Sequence, residues 1–420
     1  MVRKVVNALG YLSVLFLLQG VISWNEKPAV FKNGMWRVEL ERPDGKQILF
    51  IFQTKDSAGK KVLYVLNASE RLLVDNIRLK NDSVFIDMPF FESSFRGKLD
   101  DQNHLQGVWI KNLGTRNQVM PFKATYNQKQ RFPDQQKPKY NVTGRWAATF
   151  KGAEETTAVG IFEQNGGRVS GTFLTSSGDY RYLEGVVSVD SLKLSGFDGG
   201  HAFLFTAKVE NDHQLSGGKF YSGAVGLETW TAEKDSAAAL PDGYEQTHLR
   251  AGESKLNFHF TSIDGKDVSI KDDRYKNKVI LIQIMGSWCP NCMDETAFLS
   301  DYYSKHQKDG FEVLGLAYER TTDFNRSKAS LERFRQRFHV QYPILVTGVT
   351  LTDPLRSEKT LPQLDGIKAF PTTIFIDRKG NVRKIYTGFS GPGTGQYFEE
   401  FKKEFDQTVS SLLAEQPGQP

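Results

Sequence analysis

From Trp24 to Glu233 apolar and polar residues alternate in short runs separated by Gly and Asn turns, a period-two texture that predicts strands with one buried face. Ile48-Leu49-Phe50-Ile51-Phe52, the turn Asp56-Ser57-Ala58-Gly59 and Val62-Leu63-Tyr64-Val65-Leu66 predict one hairpin. A second is predicted from Val159-Gly160-Ile161-Phe162 and Val169-Ser170-Gly171-Thr172-Phe173, joined at Asn165-Gly166-Gly167, where Asn-Gly supplies the positive φ angles of a tight turn. Past Gly243 the texture changes. Val279-Ile280-Leu281-Ile282-Gln283-Ile284-Met285 is an uncharged run suited to a buried central strand, and Cys292, Phe298-Leu299 and Tyr302-Tyr303 then recur at helical spacing. Phe311 to Ala317, a helix carrying Leu331, Phe334 and Phe338, and Ile344-Leu345-Val346 follow. Thr372 to Ile376 and Val382 to Tyr386, on either side of Asp377-Arg378-Lys379-Gly380, predict an antiparallel pair, and Tyr397, Phe401, Phe405, Val409 and Leu412-Leu413 a final amphipathic helix. Strands alternating with helices predict an α/β domain with a largely parallel sheet.

The β-rich part repeats itself. Gly34-Met35-Trp36 returns as Gly144-Arg145-Trp146, Asp82-Ser83 as Asp190-Ser191, and Leu105-Gln106-Gly107 as Leu215-Ser216-Gly217, at offsets of 110, 108 and 110 residues. Landmarks in one order at nearly constant spacing predict a duplicated unit. Each copy is a meander that closes as a small barrel or a curled sheet, its interior filled by its own side chains. Asn127 to Lys139 reads as a polar linker between the copies, and Lys234 to Gly243 as a second linker. Asn67-Ala68-Ser69 and Asn141-Val142-Thr143 match a glycosylation pattern that arises often by chance.

Trp288-Cys289-Pro290-Asn291-Cys292 holds the only two cysteines of the 420 residues, at a strand-to-helix junction. Unpaired N–H groups and the positive dipole end of a helix favour a thiolate there, so Cys289 is expected to be the more acidic, attacking sulfur. A pair this close can open and close by thiol–disulfide exchange. A structural disulfide across two residues would remove little chain entropy, and zinc would need two further ligands that no Cys or His spacing supplies. No metal and no cofactor is called for.

The 54 basic and 49 acidic residues are interspersed, so a net charge of +5 gives no support to nucleic-acid binding. Arg3-Lys4 and the apolar run from Val5 to Leu18 resemble a secretory signal with cleavage after Ser23, or else an uncleaved anchor. Export, most simply to a periplasm, is the expectation. The pattern divides the chain into a signal segment (1–23), two all-β units (24–130 and 131–235), a linker (236–253) and the α/β domain (254–420).

Trp-Cys-x-x-Cys at that junction, with Phe370-Pro371-Thr372 opening a later hairpin, resembles the thioredoxin superfamily. The strand–helix insertion between Tyr318 and Val346 and the lead-in Asn257-Phe258 and Ile263-Asp264-Gly265-Lys266 are similar to the TlpA/ResA-like branch of exported thiol–disulfide oxidoreductases. The resemblance covers about residues 254–415, with a looser likeness between the β repeats and the extensions of some multidomain relatives. It implies a thioredoxin-like fold, Cys289 as nucleophile, Cys292 as resolving thiol and Cys289–Cys292 as a redox-active disulfide. Pro371 would be a cis-proline that, with Phe370 and Thr372, faces an extended substrate, and Trp288 would shield the sulfurs. Glu295 would assist proton transfer, since Gln283 stands where thioredoxin keeps an aspartate; the alternative for Glu295 is a solvated helix charge. Protein disulfides are the implied substrates, and a membrane electron-donor protein the implied redox partner. The usual proline after that glutamate is replaced by Thr296-Ala297. A binding or scaffold protein built on the β repeats, and a thiol peroxidase, remain as other readings; Gly286 stands where a peroxidase wants threonine.

Overall fold

A computed structural model describes residues 30–100, 103–114, 116–133 and 135–416. The expected signal segment lies outside the described residues. Two barrel-like antiparallel sheets precede an α/β domain. The first runs through nine strands from Gly34–Glu41 to Asn117–Tyr126, and these two pair with each other. Its edges are the chain-adjacent strands Glu70–Val74 and Asn76–Lys80. In the second, Gly144–Lys151 pairs with Gly226–Lys234, and Arg168–Thr175 pairs with both Glu155–Asn165 and Leu183–Ser188, so the ring is continuous.

The duplication is written in matching hydrogen bonds. Trp36 Nε1–H donates to the Lys32 carbonyl at 3.1 Å and Trp146 Nε1–H to that of Val142 at 2.8 Å, four residues back in each copy. Asn127 N–H closes onto Met35 at 2.7 Å as Asp235 N–H does onto Arg145 at 3.0 Å. Trp146, Phe150, Phe162, Phe173, Phe205 and Trp230 occupy the interior of the second sheet, as expected of a filled core.

Two sequence expectations for the β-rich part change. In the second hairpin Asn165 ends the strand, and the left-handed conformation falls on Gly166 (φ 59°), with none at Asn165. The Asn127 to Lys139 segment is more than a polar tether. Arg131 is buried within it and donates to the carbonyls of Ser195 and Leu66 and to Asn67, tying one sheet to the other. Burial lowers the Arg131 pKa to about 10. Asn67 is itself buried and donates to Phe197, which leaves no room for a glycan.

In the C-terminal domain we number β1 His259–Ser262, β2 Asp267–Ser269, β3 Val279–Met285, α1 Pro290–His306, β4 Phe311–Ala317, α2 Phe324–Phe338, β5 Ile344–Val346, α3 Arg356–Thr360, β6 Thr372–Ile376, β7 Val382–Thr387 and α4 Gln396–Ala414. The sheet order is β2-β1-β5-β4-β3-β6-β7. Only β3, β4 and β5 are mutually parallel; β1, β2, β6 and β7 pair antiparallel with their neighbours, so the sheet is mixed, against the expectation of a largely parallel one, because short hairpins rather than helical crossovers join its edge strands. Every residue of β3 is buried, which is why its sequence shows no alternation. α1 is a single helix across Thr296-Ala297, so the missing proline leaves it uninterrupted. Among the described residues no helix is long and apolar enough to cross a membrane.

Candidate active site

β3 delivers the chain to Gly286, where an added Cβ would lie 2.1 Å from Trp288 Nε1; only glycine lets the indole fold back across the strand end. Trp288 Nε1–H donates to the Tyr318 carbonyl at 2.7 Å, and its ring meets Phe370 edge-on at 5.2 Å. Cys289 is the N-cap of α1 and Pro290 its first residue, a position that needs no N–H. The two cysteines are disulfide-bonded with Cα atoms 5.2 Å apart. Cys292 N–H donates to Cys289 Sγ at 3.2 Å, so the sulfur occupies the place of a capping oxygen. That sulfur also lies 3.5 Å from the Phe370 carbonyl oxygen, and the Phe370–Pro371 peptide is cis. Thr372 is buried and donates to the Ala369 carbonyl at 2.9 Å. Trp288, Cys289, Phe370 and Pro371 are thus brought together. Cys289 is only 3% exposed.

Glu295 is fully buried, which overturns the alternative of a solvated helix charge. One turn beyond Cys292, its carboxylate accepts from Gln283 Nε2 at 2.7 Å and from Thr373 Oγ1. Gln283 and Thr373 are register partners on β3 and β6. Burial raises the Glu295 pKa to about 7, against the pull of those two donors. Sequence reasoning found Glu295 but missed its holders. It also missed Glu319, buried beside the motif, which accepts from Ser287 N–H at 2.8 Å and Ser287 Oγ at 2.7 Å and whose pKa is raised by burial.

A family model described as Redoxin matches residues 250–400. The thiol-disulfide oxidoreductase ResA of Geobacillus thermodenitrificans is 28% identical over 144 residues, 34% of this chain and 73% of the relative. The chain is a thiol-disulfide oxidoreductase whose C-terminal Redoxin domain is similar to ResA. The ResA of Halalkalibacterium halodurans is 27% identical over 158 residues, 37% of this chain and 78% of its own. Among solved structures, a thiol:disulfide interchange protein of the thioredoxin family from Chlorobium tepidum aligns at 22% identity and TM-score 0.30, covering 38% of this chain and 96% of that one. A thiol-disulfide oxidoreductase from Bacteroides fragilis aligns at 17% identity and TM-score 0.28, covering 36% and 99%.

The oxidoreductase site is roofed by the β-rich part. The loop from Ser176 to Tyr182 of the second sheet lies on the N-terminal end of α1 and on the segment after β7. Gly178 approaches Asn291 so closely that a Cβ would fall 2.3 Å from the Asn291 amide nitrogen. Gly391 N–H donates to Asp179 at 2.7 Å. Arg181 grips Asp294 of α1 through two bonds of 2.8 Å and Glu70 of the first sheet through a third of 2.8 Å. Burial, and then the nearby Asp294 charge, raise the Asp179 pKa to about 7; burial likewise raises that of Glu70.

Proposed function

We propose that this oxidoreductase is an exported reductase of protein disulfides, resupplied with electrons by a membrane electron-donor protein. The observation that carries the reading is the placement of Glu295, a buried carboxyl poised near neutral pH one helical turn beyond Cys292, whose own sulfur is joined to a capping Cys289. In the reduced enzyme the helix N-terminus stabilises a Cys289 thiolate. That thiolate attacks one sulfur of the substrate disulfide; a mixed disulfide forms and one substrate thiolate leaves. Cys292 passes its proton to Glu295 and attacks Cys289 Sγ, which expels the second substrate thiolate and closes Cys289–Cys292. Two electrons pass from the enzyme dithiol to the substrate. Phe370, Pro371 and Trp288 frame the approach of an extended chain to the sulfur, and buried Thr372 braces that loop through the Ala369 carbonyl. Export is supported by the charged Arg3-Lys4 pair ahead of the apolar run to Leu18.

The test has two parts. Cys292→Ala holds mixed disulfides at Cys289, and the captured partners are expected to be proteins of the exported compartment. The Cys289–Cys292 potential is expected near the ≈ −270 mV of a reductant, and a value near ≈ −120 mV would make the protein an oxidant.

A further inference from the structure

Between the first barrel-like sheet and α2 lies a cleft of about 390 Å³ that reaches Ser287 and Trp288, the two residues before Cys289. It is large enough for a short acidic segment and too narrow for a folded domain. Its carboxylates are already engaged. Asp87 is paired with Arg78 and Arg96, and Glu92 accepts from Arg326 at 2.8 Å and from Ser330 at 3.0 Å. Glu319 accepts from Ser287 and is held toward its neutral form by burial.

Two cations of the cleft are left over. Arg320 and Arg333 line it, and among the described residues neither has a carboxylate within ion-pair distance. Arg333 stands at the rim, donating to Ser330 at 3.3 Å. Arg320 is deeper. Its guanidinium lies over the Trp288 ring at 5.5 Å, and among the described residues its N–H groups make no side-chain hydrogen bond or ion pair. Burial lowers the Arg320 pKa, because Glu319 and Glu92 compensate the charge only in part. A half-buried guanidinium with unused donors is suited to a bidentate carboxylate.

We propose that this cleft receives a carboxylate of an acidic disulfide substrate and that Arg320 is the residue that selects it. The inference rests on the reading of the protein as a disulfide reductase and adds the chemical class of its substrate. Arg320 overlies Trp288, the residue before Cys289, so a carboxylate held there anchors the substrate beside the segment that carries the attacking sulfur. The exchange itself is unchanged, two electrons leaving the dithiol and two thiolates leaving the substrate.

The test is stopped-flow oxidation of the fully reduced chain by three probes of different charge: oxidised glutathione, neutral 2-hydroxyethyl disulfide and cationic cystamine. Oxidised glutathione is expected to react fastest, with an advantage over the neutral probe that shrinks at high salt. Arg320→Gln should lower the ratio of the glutathione disulfide rate to the hydroxyethyl disulfide rate about tenfold, as loss of one charge-assisted contact implies, and Arg320→Lys should restore part of it. Using the ratio removes any general damage to the site. A synthetic peptide disulfide flanked by Asp, compared with one flanked by Lys, identifies the source: Arg320 dependence in the peptide alone assigns a polypeptide substrate, and in both acidic probes a carboxylate of either origin. Asp- and Lys-flanked peptides that react equally fast, or an Arg320→Gln variant that leaves both the glutathione ratio and the Asp-to-Lys peptide ratio untouched, overturn the inference. Absence of exchange with every probe overturns the reductase reading itself.

Discussion

A carboxyl enclosed in protein keeps its proton until something compensates the charge, and among the described residues Glu295 has two neutral donors to do so. Its pKa of about 7 is therefore matched to taking a proton from a thiol near neutral pH. To accept that proton Glu295 must be ionised, so resolution of a mixed disulfide by Cys292 should accelerate as pH rises through about 7 and then level off. In Glu295→Gln resolution should be about 10²-fold slower at pH 7, and its rise should move toward the ordinary thiol pKa of about 8.5. Quench-flow with a Cys289-linked chromogenic thiol checks this, and a variant whose profile keeps its midpoint near 7 would assign the proton acceptor elsewhere. The role of Glu295 was legible because a three-residue spacing places two side chains on one helix face. Gln283 and Thr373 were not, because their partnership depends on the register of β3 against β6 across ninety residues of chain.

At the scale of elements, β3 to β7 and the helices α1, α2 and α4 were readable almost residue by residue, whereas the short β1, β2 and α3 were not. Phe311–Ala317 and Ile344–Val346 fall where apolar runs place them, since fully buried parallel strands carry continuous apolar sequence. The repeat was readable too, from Trp36 and Trp146 at equivalent strand starts. The Ser176 to Tyr182 loop was not, because a polar segment that covers an active site has the composition of one that faces water. Its contact with α1 depends on Gly178, whose φ of 141° and lack of a side chain let Asn291 pass beneath. Gly178→Val should lower stability by about 1–3 kcal/mol through overpacking and strain and, by lifting the loop, speed reduction of the Cys289–Cys292 bond by dithiothreitol. Urea unfolding and the thiol-release rate measure the two effects. Faster release without loss of stability would mean that the loop covers the site without bearing on it, and unchanged release would mean that access lies along another face.

Across the whole molecule, three units meet at one cation. Glu70 comes from the first sheet, Arg181 from the second and Asp294 from the oxidoreductase domain, with Asp179 beside them holding Gly391. Burial works against the Arg181 charge, but Asp294 and Glu70 more than offset it and hold its pKa above the usual range. Replacing the cation leaves the carboxylates enclosed without a partner, so Arg181→Met should destabilise the protein by about 3–5 kcal/mol at pH 8. The loss should depend on pH with a definite sign. The folded-state pKa of Asp179 is about 7 against 3.8 for the free side chain, so its contribution to stability is fully present below the lower value and fades as pH rises through the upper one. Glu70 is raised in the same direction. At pH 5.5 Asp179 is largely protonated and the charge crowding around Asp294 falls, so the variant should recover much of its deficit relative to wild type. Paired thermal melts at pH 5.5 and 8 decide the point. A deficit of the same size at both would show that Arg181 holds the three units together through packing of its stem rather than through its charge.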